Sequence, residues 1–366
     1  MNHYILIIIG TLLVSLGGGF LLIPTIIRFC KRHNFYDHPN ARKLHKCNIP
    51  RLGGVCFLPC MFAAFLLAIV MLNQNTTGHQ ITMSLWSVLF FVALLMIYAV
   101  GLIDDLMELS AGLKFIVQII AASLLPIGGL YINNLYGLGG VGEIPFYIGA
   151  PLTVFVIVFI DNAINLIDGI DGLSSGLALV SLGGFLFNFM HEGLYVYSML
   201  IAGLIGVLIA FMYYNVFGKE GKNKIFMGDS GSLTIGFILG FLFVKFSMDN
   251  PNIKPFRHDS ILLAYTLLIV PVFDVCRVIL VRFIHRKPIF GADKNHIHHK
   301  FIRTGLTQHQ ALGCILGTAL IFIATNLTMS LWCNINYIVA ADIALWIGLQ
   351  VVIDHFIRKN GMKVYC

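Results

Sequence analysis

Asn162, Asn165, Asp168 and Asp171 recur at three-residue spacing in the run Asn162-Ala-Ile-Asn165-Leu-Ile-Asp168-Gly-Ile-Asp171-Gly-Leu, with long apolar stretches on either side. Two amides and two carboxylates offer oxygen ligands for a hard cation and hydrogen-bonding groups for a polar substrate. Such a cluster is expensive beside a bilayer: one aspartate at the centre of a membrane helix costs about 2.5–3.5 kcal/mol on insertion scales. Helix capping accounts for one or two of these residues but not for all of them. Along a helix Asn162 and Asn165 share a face, as do Asp168 and Asp171. Gly169 and Gly172 disfavour an unbroken helix and let backbone approach a ligand closely.

Further clusters carry related chemistry. Asp104 and Asp105 close an apolar run, where adjacent carboxylates repel and can hold a cation, accept a proton or simply end a solvated helix. Lys114 opens the next run, placed to face a phosphate or to snorkel to the headgroups. In Ile225-Phe226-Met227-Gly228-Asp229-Ser230-Gly231-Ser232, Asp229 stands where an N-cap or a metal ligand would sit, and the P-loop ending is missing. The segment Asp293-Lys-Asn295-His296-Ile-His298-His299-Lys300-Phe-Ile-Arg303 invites zinc through its histidines. The oxygen groups elsewhere favour Mg²⁺, so the histidines read as donors to phosphate oxygens beside Lys300 and Arg303. Asp274 and Arg277 read as an internal structural ion pair, and the pairs Gly236/Gly240 and Gly313/Gly317 as helix-packing positions.

Composition defines the elements that must position these groups. The 366-residue chain is 58% hydrophobic and 11% charged, with a mean hydropathy of +0.86; a soluble domain is about one quarter charged. Apolar runs approaching the ~20 residues needed to span a bilayer begin near Tyr4, Gly53, Ile81, Leu113, Pro151, Ser174, Val196, Ser232, Ile261, His309 and Ile335. The expected fold is an all-α membrane protein, a polytopic bundle of about 11 transmembrane helices in which residues 1–366 form a single integral membrane domain. Continuous rather than alternating runs argue against strands. Cysteines without CxxC spacing read as small core residues.

The first run is too long, and lacks the basic start, of a cleaved signal peptide. As a retained span with its amino terminus outside, it places 28–51, 104–112, 162–173, 217–229, 285–308 and the carboxyl tail inside. Arg28, Lys31, Arg32, Arg42, Lys43, Lys46 and Arg51 then fall in the first inner loop, with Lys219, Lys222 and Lys224 in another. Arg282, Arg286, Lys287, Lys294, Lys300, Arg303, Arg358, Lys359 and Lys363 follow on the same side. Outer loops hold only Lys254 and Arg257, with Lys245 near a helix end, which is the positive-inside pattern. The chemistry-bearing clusters therefore sit in cytoplasmic active-site loops, where the basic residues meet anionic membrane lipids or phosphorylated substrates. Because those residues border spans, nucleic acid is a poor partner.

In this order, the clusters resemble the bacterial polyprenyl-phosphate N-acetylhexosamine-1-phosphate transferases of glycosyltransferase family 4, the undecaprenyl-phosphate GlcNAc-1-phosphate transferase type. The resemblance begins with Asp37-His-Pro-Asn-Ala-Arg42-Lys43-Leu-His45 and Pro50-Arg51-Leu-Gly53-Gly54 and runs through the clusters above, covering nearly the whole chain. It implies transfer of a sugar 1-phosphate, most readily GlcNAc-1-phosphate, from a UDP-N-acetylhexosamine to a polyprenyl (undecaprenyl) phosphate, with release of UMP. It also implies Mg²⁺, with Mn²⁺ as a substitute. The implied location is the bacterial cytoplasmic membrane with the active site facing the cytoplasm, and a homodimer is an open assembly state. By the same resemblance Asn165 and Asp229 hold the metal. Asp168 and Asp171 lie near substrate and uracil, with Asn162 beside them, and Phe226 stacks on the uracil. Asp104 or Asp105 positions or deprotonates the lipid phosphate with help from Lys114. His296, His298, His299 and Arg303 meet the diphosphate and sugar. Ile297 interrupts the run of histidines usual in phospho-MurNAc-pentapeptide transferases, which favours the N-acetylhexosamine branch over that alternative. The longer stretch before Phe226 withholds a nucleotide role from Asn215. A secondary transporter is the alternative from another class, but its repeats are not visible.

Overall fold

The structure, a computed structural model, describes residues 2–37, 48–75, 84–249, 259–287 and 295–362. Outside them lie 38–45 of the first-loop motif, Lys46, Cys47, Ile81, Lys254, Arg257, Asp293, Lys294, Lys363 and Cys366. In chain order the elements are α1 (Asn2–His33), β1 (Tyr36–Asp37), β2 (Ile49–Pro50), a 3₁₀ turn (Gly53–Cys56), α2 (Phe57–Asn75), α3 (Leu85–Met107), α4 (Ala111–Ile127), β3 (Asn134–Leu138), β4 (Val141–Glu143), α5 (Phe146–Ile167), α6 (Leu173–His191), α7 (Tyr195–Val216), α8 (Asp229–Ser247), α9 (Ser260–Leu267), α10 (Ile269–Ile284), α11 (Ile297–Arg303), α12 (Gln308–Met329) and α13 (Ile335–Lys359).

Among the described residues, nine helices are long and apolar enough to cross a membrane: α1, α2, α3, α5, α6, α7, α8, α12 and α13. The 17-residue α4 and the broken pair α9–α10 complete the expected set of runs. The break at Leu268 follows from Pro271, which has no N–H to give the carbonyl of Leu267. That carbonyl instead accepts the Ser181 hydroxyl at 2.6 Å. Strands do occur, against expectation, as two short antiparallel ladders, β1–β2 and β3–β4.

α8 is the axis of the bundle. It is apolar all round and buried along nearly its whole length, as such a helix must be. Gly236 and Gly240 let α5 approach it: a Cβ on Gly236 would meet Asp161 Oδ1 at 2.6 Å, and one on Gly240 would meet Ile157 Cα at 3.1 Å. The expected packing role fits this pair, whereas Gly313 and Gly317 on α12 face nothing within 4 Å. At the carboxyl end of α8, Lys245 lies over the Trp86 and Tyr197 rings at 4.8 and 5.4 Å, a cation–π seat near the helix terminus. The β3–β4 hairpin secures the same end, with Tyr136 donating to the Ser247 carbonyl at 2.9 Å.

The amino end of α8 is fixed by backbone. Phe226 N donates to Pro50 O at 2.8 Å, Gly53 N to Phe226 O at 2.9 Å and Gly54 N to Met227 O at 2.7 Å. This pairing demands glycine: a Cβ on Gly54 would stand 2.1 Å from Gly231 Cα and 2.2 Å from its nitrogen. Neither is a side-chain end that can swing aside. Gly54→Ala is expected to destabilise the protein by about 2 kcal/mol or more, measured as a lower melting temperature in detergent. An unchanged melt would show that this backbone contact is not tight.

Candidate functional site

α3 and α4 deliver the first carboxylates. Adjacent residues on a helix point in different directions, and Asp104 and Asp105 accordingly do different things. Asp105 is buried and accepts the backbone N–H groups of Asp229 and Ser230 at 2.8 and 2.9 Å. It therefore caps α8 from a neighbouring helix. Asp104 turns to the α3–α4 junction, where Oδ1 accepts Leu109 N at 2.7 Å and Oδ2 pairs with Lys114 Nζ at 3.1 Å. Lys114 also pairs with Asp229 Oδ2 at 2.7 Å, so one ammonium bridges carboxylates from α3 and α8.

Asp229 is the first residue of α8, with Gly228 as the N-cap at φ 74°. The N-cap position expected for Asp229 is thus held by the glycine. A Cβ on Gly228 would meet Arg51 O at 2.4 Å and both Asp105 oxygens at 2.6 Å. The second Asp229 oxygen receives Asn165 Nδ2 at 3.2 Å, and the same amide nitrogen reaches Ser232 Oγ at 2.8 Å. With its nitrogen so engaged, Asn165 offers its carbonyl oxygen as the atom for a cation.

The run that follows breaks where its glycines fall. α5 ends at Ile167 with Asp168 as its C-cap, and α6 starts after Gly172 at φ 76°. Burial, then the nearby carboxylates of Asp229, Asp171 and Asp105, push the Asp168 carboxyl up to about 7. Asp171 pairs with Lys224 at 2.6 Å, both largely buried. Asn215 joins the two motifs: its Oδ1 accepts Gly172 N at 2.6 Å and its Nδ2 donates to Ile225 O at 2.9 Å.

The carboxylates and amides described above line one cavity of about 680 Å³, whereas Lys114, expected to face phosphate, is not among its wall residues. Its walls include Asp104, Asp105, Asn165, Asp168, Asp171, Asn215, Lys224, Phe226, Asp229, His299, Gln308 and His309. Ile225 points into the core while Lys224 and Phe226 face the cavity, as alternation along an extended segment requires. The sequence reading missed Lys224, Gln308 and His309 as wall residues. Only the alternation around Ile225 could have pointed to the first.

Other expected site residues lie elsewhere. Asn162 does not reach the cavity but donates to Gln118 Oε1 and to Val158 O, both at 2.8 Å, between α4 and α5. One turn separates it from Asn165, and packing claims its face. The histidine segment divides in the same way. His296 is buried and paired through Nδ1 with Asp274 Oδ2 at 2.8 Å, while Asp274 Oδ1 accepts Ile297 N and Arg277 Nη2, both at 2.9 Å. The Asp274–Arg277 pair thus also anchors the start of α11. His298 is buried against Gly169, where a Cβ would meet Nε2 at 2.1 Å. Burial holds its pKa down to about 3, so it is neutral. Lys300, expected beside phosphate, is buried and pairs with Asp354 at 2.6 Å and Gln350 at 2.7 Å, docking α11 on α13. Arg303 ends α11 and is not among the wall residues, which leaves His299 as the member of this segment that faces the cavity, alongside His309 of α12. No grouping of three or more His, Cys, Asp or Glu able to hold a metal occurs among the described residues.

A model of glycosyl transferase family 4 matches residues 85–247. The decaprenyl-phosphate N-acetylglucosaminephosphotransferase of Mycobacterium leprae (strain TN) is 33% identical over 292 residues, covering 75% of this chain and 72% of that protein. A Bacillus subtilis (strain 168) protein named a probable undecaprenyl-phosphate N-acetylglucosaminyl 1-phosphate transferase is 28% identical over 353 residues, covering 94% and 88%. The undecaprenyl-phosphate alpha-N-acetylglucosaminyl 1-phosphate transferase of Escherichia coli (strain K12) is 26% identical over 370 residues, covering 99% and 91%.

The capping geometry predicts that Asp105→Ala lowers stability by about 2 kcal/mol, because two helix amides lose their acceptors. Asp104→Ala leaves α8 capped and should lower it less. Thermal melts of both variants in detergent compare them, and equal losses would count against the cap.

Proposed function

Because this chain belongs to glycosyl transferase family 4, we propose that it transfers N-acetylglucosamine 1-phosphate from UDP-N-acetylglucosamine to a polyprenyl phosphate. The observation that carries the reading is the pair of wall carboxylates, Asp104 and Asp229, bridged by the Lys114 ammonium. An internal cation holds together carboxylates that would otherwise repel both anionic substrates.

In the reaction an oxygen of the lipid phosphate attacks the phosphorus that carries the sugar. The bond from that phosphorus to the bridging oxygen breaks, and the electron pair leaves with UMP. A phosphate oxygen is already ionised at neutral pH, so the protein's task is positioning and charge compensation rather than proton removal. Asp105 keeps the first turn of α8 in place, and with it Asp229. Lys114 meets phosphate oxygen at the junction of α3 and α4, with Asp104 orienting its ammonium. Phe226 offers a ring face to the uracil, with Asp171 and Lys224 alongside. His299 reaches the diphosphate or sugar. The donor set fits Mg²⁺, because Asn165, Asp168 and Asp229 present oxygens and no thiol lines the cavity among the described residues. Asn165 and Asp229 would hold the ion, which supplies charge neutralisation at the diphosphate. The positive-inside charge pattern supports a cytoplasm-facing cavity in the inner membrane, with the amino terminus outside.

Purified protein reconstituted with undecaprenyl phosphate, UDP-N-acetylglucosamine and Mg²⁺ should release UMP. Asp229→Ala should lower kcat by about 100-fold or more. Absence of UMP with the unaltered protein, or full activity in the variant, overturns the assignment. UDP-GalNAc and UDP-MurNAc-pentapeptide run in parallel should turn over more slowly.

Asp168 also predicts a pH dependence. Its raised pKa means the carboxylate is lost as pH falls through about 7. Because protons compete with the ion for this carboxylate cluster, the Mg²⁺ concentration giving half-maximal rate should rise as pH falls below about 7. Asp171→Asn removes one of the neighbouring negative charges that raise this pKa, and should move the rise to lower pH.

A further inference from the structure

On the far side of the bundle from the cavity wall, α9, α12 and α13 meet around polar side chains that the reaction does not use. Asn326 on α12 donates through Nδ2 to Thr266 Oγ1 on α9 and to Asp342 Oδ2 on α13, both at 2.9 Å. Asp342 is 1% exposed and Asn326 2%. The other Asp342 oxygen, Oδ1, and the Asn326 oxygen, Oδ1, are buried without a hydrogen-bond partner, as is the Tyr265 hydroxyl. The Tyr265 hydroxyl of α9 lies against the same carboxyl, with the Cys276 thiol of α10 beyond it.

Among the described residues, no Lys or Arg pairs with Asp342. The sequences of α9 and α12 contain no Lys or Arg. Those of α13, Arg358 and Lys359, are in its last turn, ~24 Å along the helix. Arg277 on α10 is engaged by Asp274 and the Asn295 carbonyl. A carboxylate at this depth needs a proton or a bound cation. Asp342 Oδ1 and Asn326 Oδ1 are two buried acceptors on side chains already joined through Oδ2 and Nδ2, and the Tyr265 hydroxyl against the same carboxyl can supply only one donor.

We propose that Asp342 is a proton-binding site of the folded protein. The neutral carboxyl donates Oδ1–H to Asn326 Oδ1 and accepts Asn326 Nδ2–H at Oδ2. One proton then satisfies both orphans and closes an acid–amide ring. The ring locks α13 and α12 to α9, and one connection leads to the cavity: α12 begins with the wall residues Gln308 and, next to it, His309.

The sign of the pH effect separates a proton from a cation. The folded carboxyl keeps its proton while the unfolded one releases it, so stability falls as pH rises above the ordinary carboxyl range. A site for Na⁺ on an ionised Asp342 predicts the reverse slope and a rise with salt. Melting temperatures of wild type, Asp342→Asn and Asp342→Ala are compared in lipid nanodiscs across pH, in NaCl and in choline chloride. Asp342→Asn, a neutral group able to form an amide–amide ring, should melt near wild type and lose part of the pH slope. Asp342→Ala should melt several degrees lower and show a raised KM for the sugar nucleotide. Difference infrared spectra of wild type against Asp342→Asn should contain one protonated-carboxyl C=O band, which decides the matter if the alanine variant does not fold. Asp342→Asn as unstable as Asp342→Ala, no such band, or stabilisation of wild type by Na⁺ over choline overturns the proposal.

Discussion

Everything at the cavity depends on how the first turn of α8 is held. A helix buried along its length cannot leave its leading amides bare, and here the Asp105 carboxyl takes two of them from a neighbouring helix. The Gly53–Gly54 backbone pairs with the segment just before that turn. Together they fix the origin of α8 against α3 and the 3₁₀ turn. Asp229, Ser232 and, through Asn165, the end of α5 take their places from that origin.

Around this fixed point the charges arrive in pairs. Lys114 bridges Asp104 and Asp229, Lys224 meets Asp171, and Asp274 gathers Arg277 with His296. Among the described residues Asp168 has no basic partner and lies among like charges, which together with burial is why its carboxyl is pushed up to about 7. Paired groups set geometry; the strained one responds to whatever enters.

Much of this was legible in the sequence, for physical reasons that differ by feature. The spans follow from uninterrupted hydropathy, and the break at Gly169 and Gly172 follows from backbone chemistry, whereas the one before Pro271 falls inside what hydropathy presents as a single run from Ile261. Convergence of Asp104, Asn165, Asp168, Asp171, Phe226 and Asp229 followed from their common side of the membrane. What spacing could not do was separate neighbours. Asp104 from Asp105, Asn165 from Asn162, and His299 from His296 and His298 differ only by the rotation of a helix against its surroundings. That rotation is set by packing partners far away in sequence. Lys300 was misplaced for the same reason, because Asp354 and Gln350 lie on α13.

The pairing of the first loop with the segment before α8 has a further consequence for biogenesis. Asp105 waits 124 residues for the first amide it caps. At ~5–20 residues per second, synthesis takes roughly six to twenty-five seconds to supply it. Throughout that interval the early helices sit in the bilayer with Gly53 and Gly54 unpaired at the interface, satisfied only by water. The amino-terminal half is therefore a holding state rather than a folded unit, and the cavity gains its central wall when α8 arrives and is completed only by His299, Gln308 and His309 further along the chain.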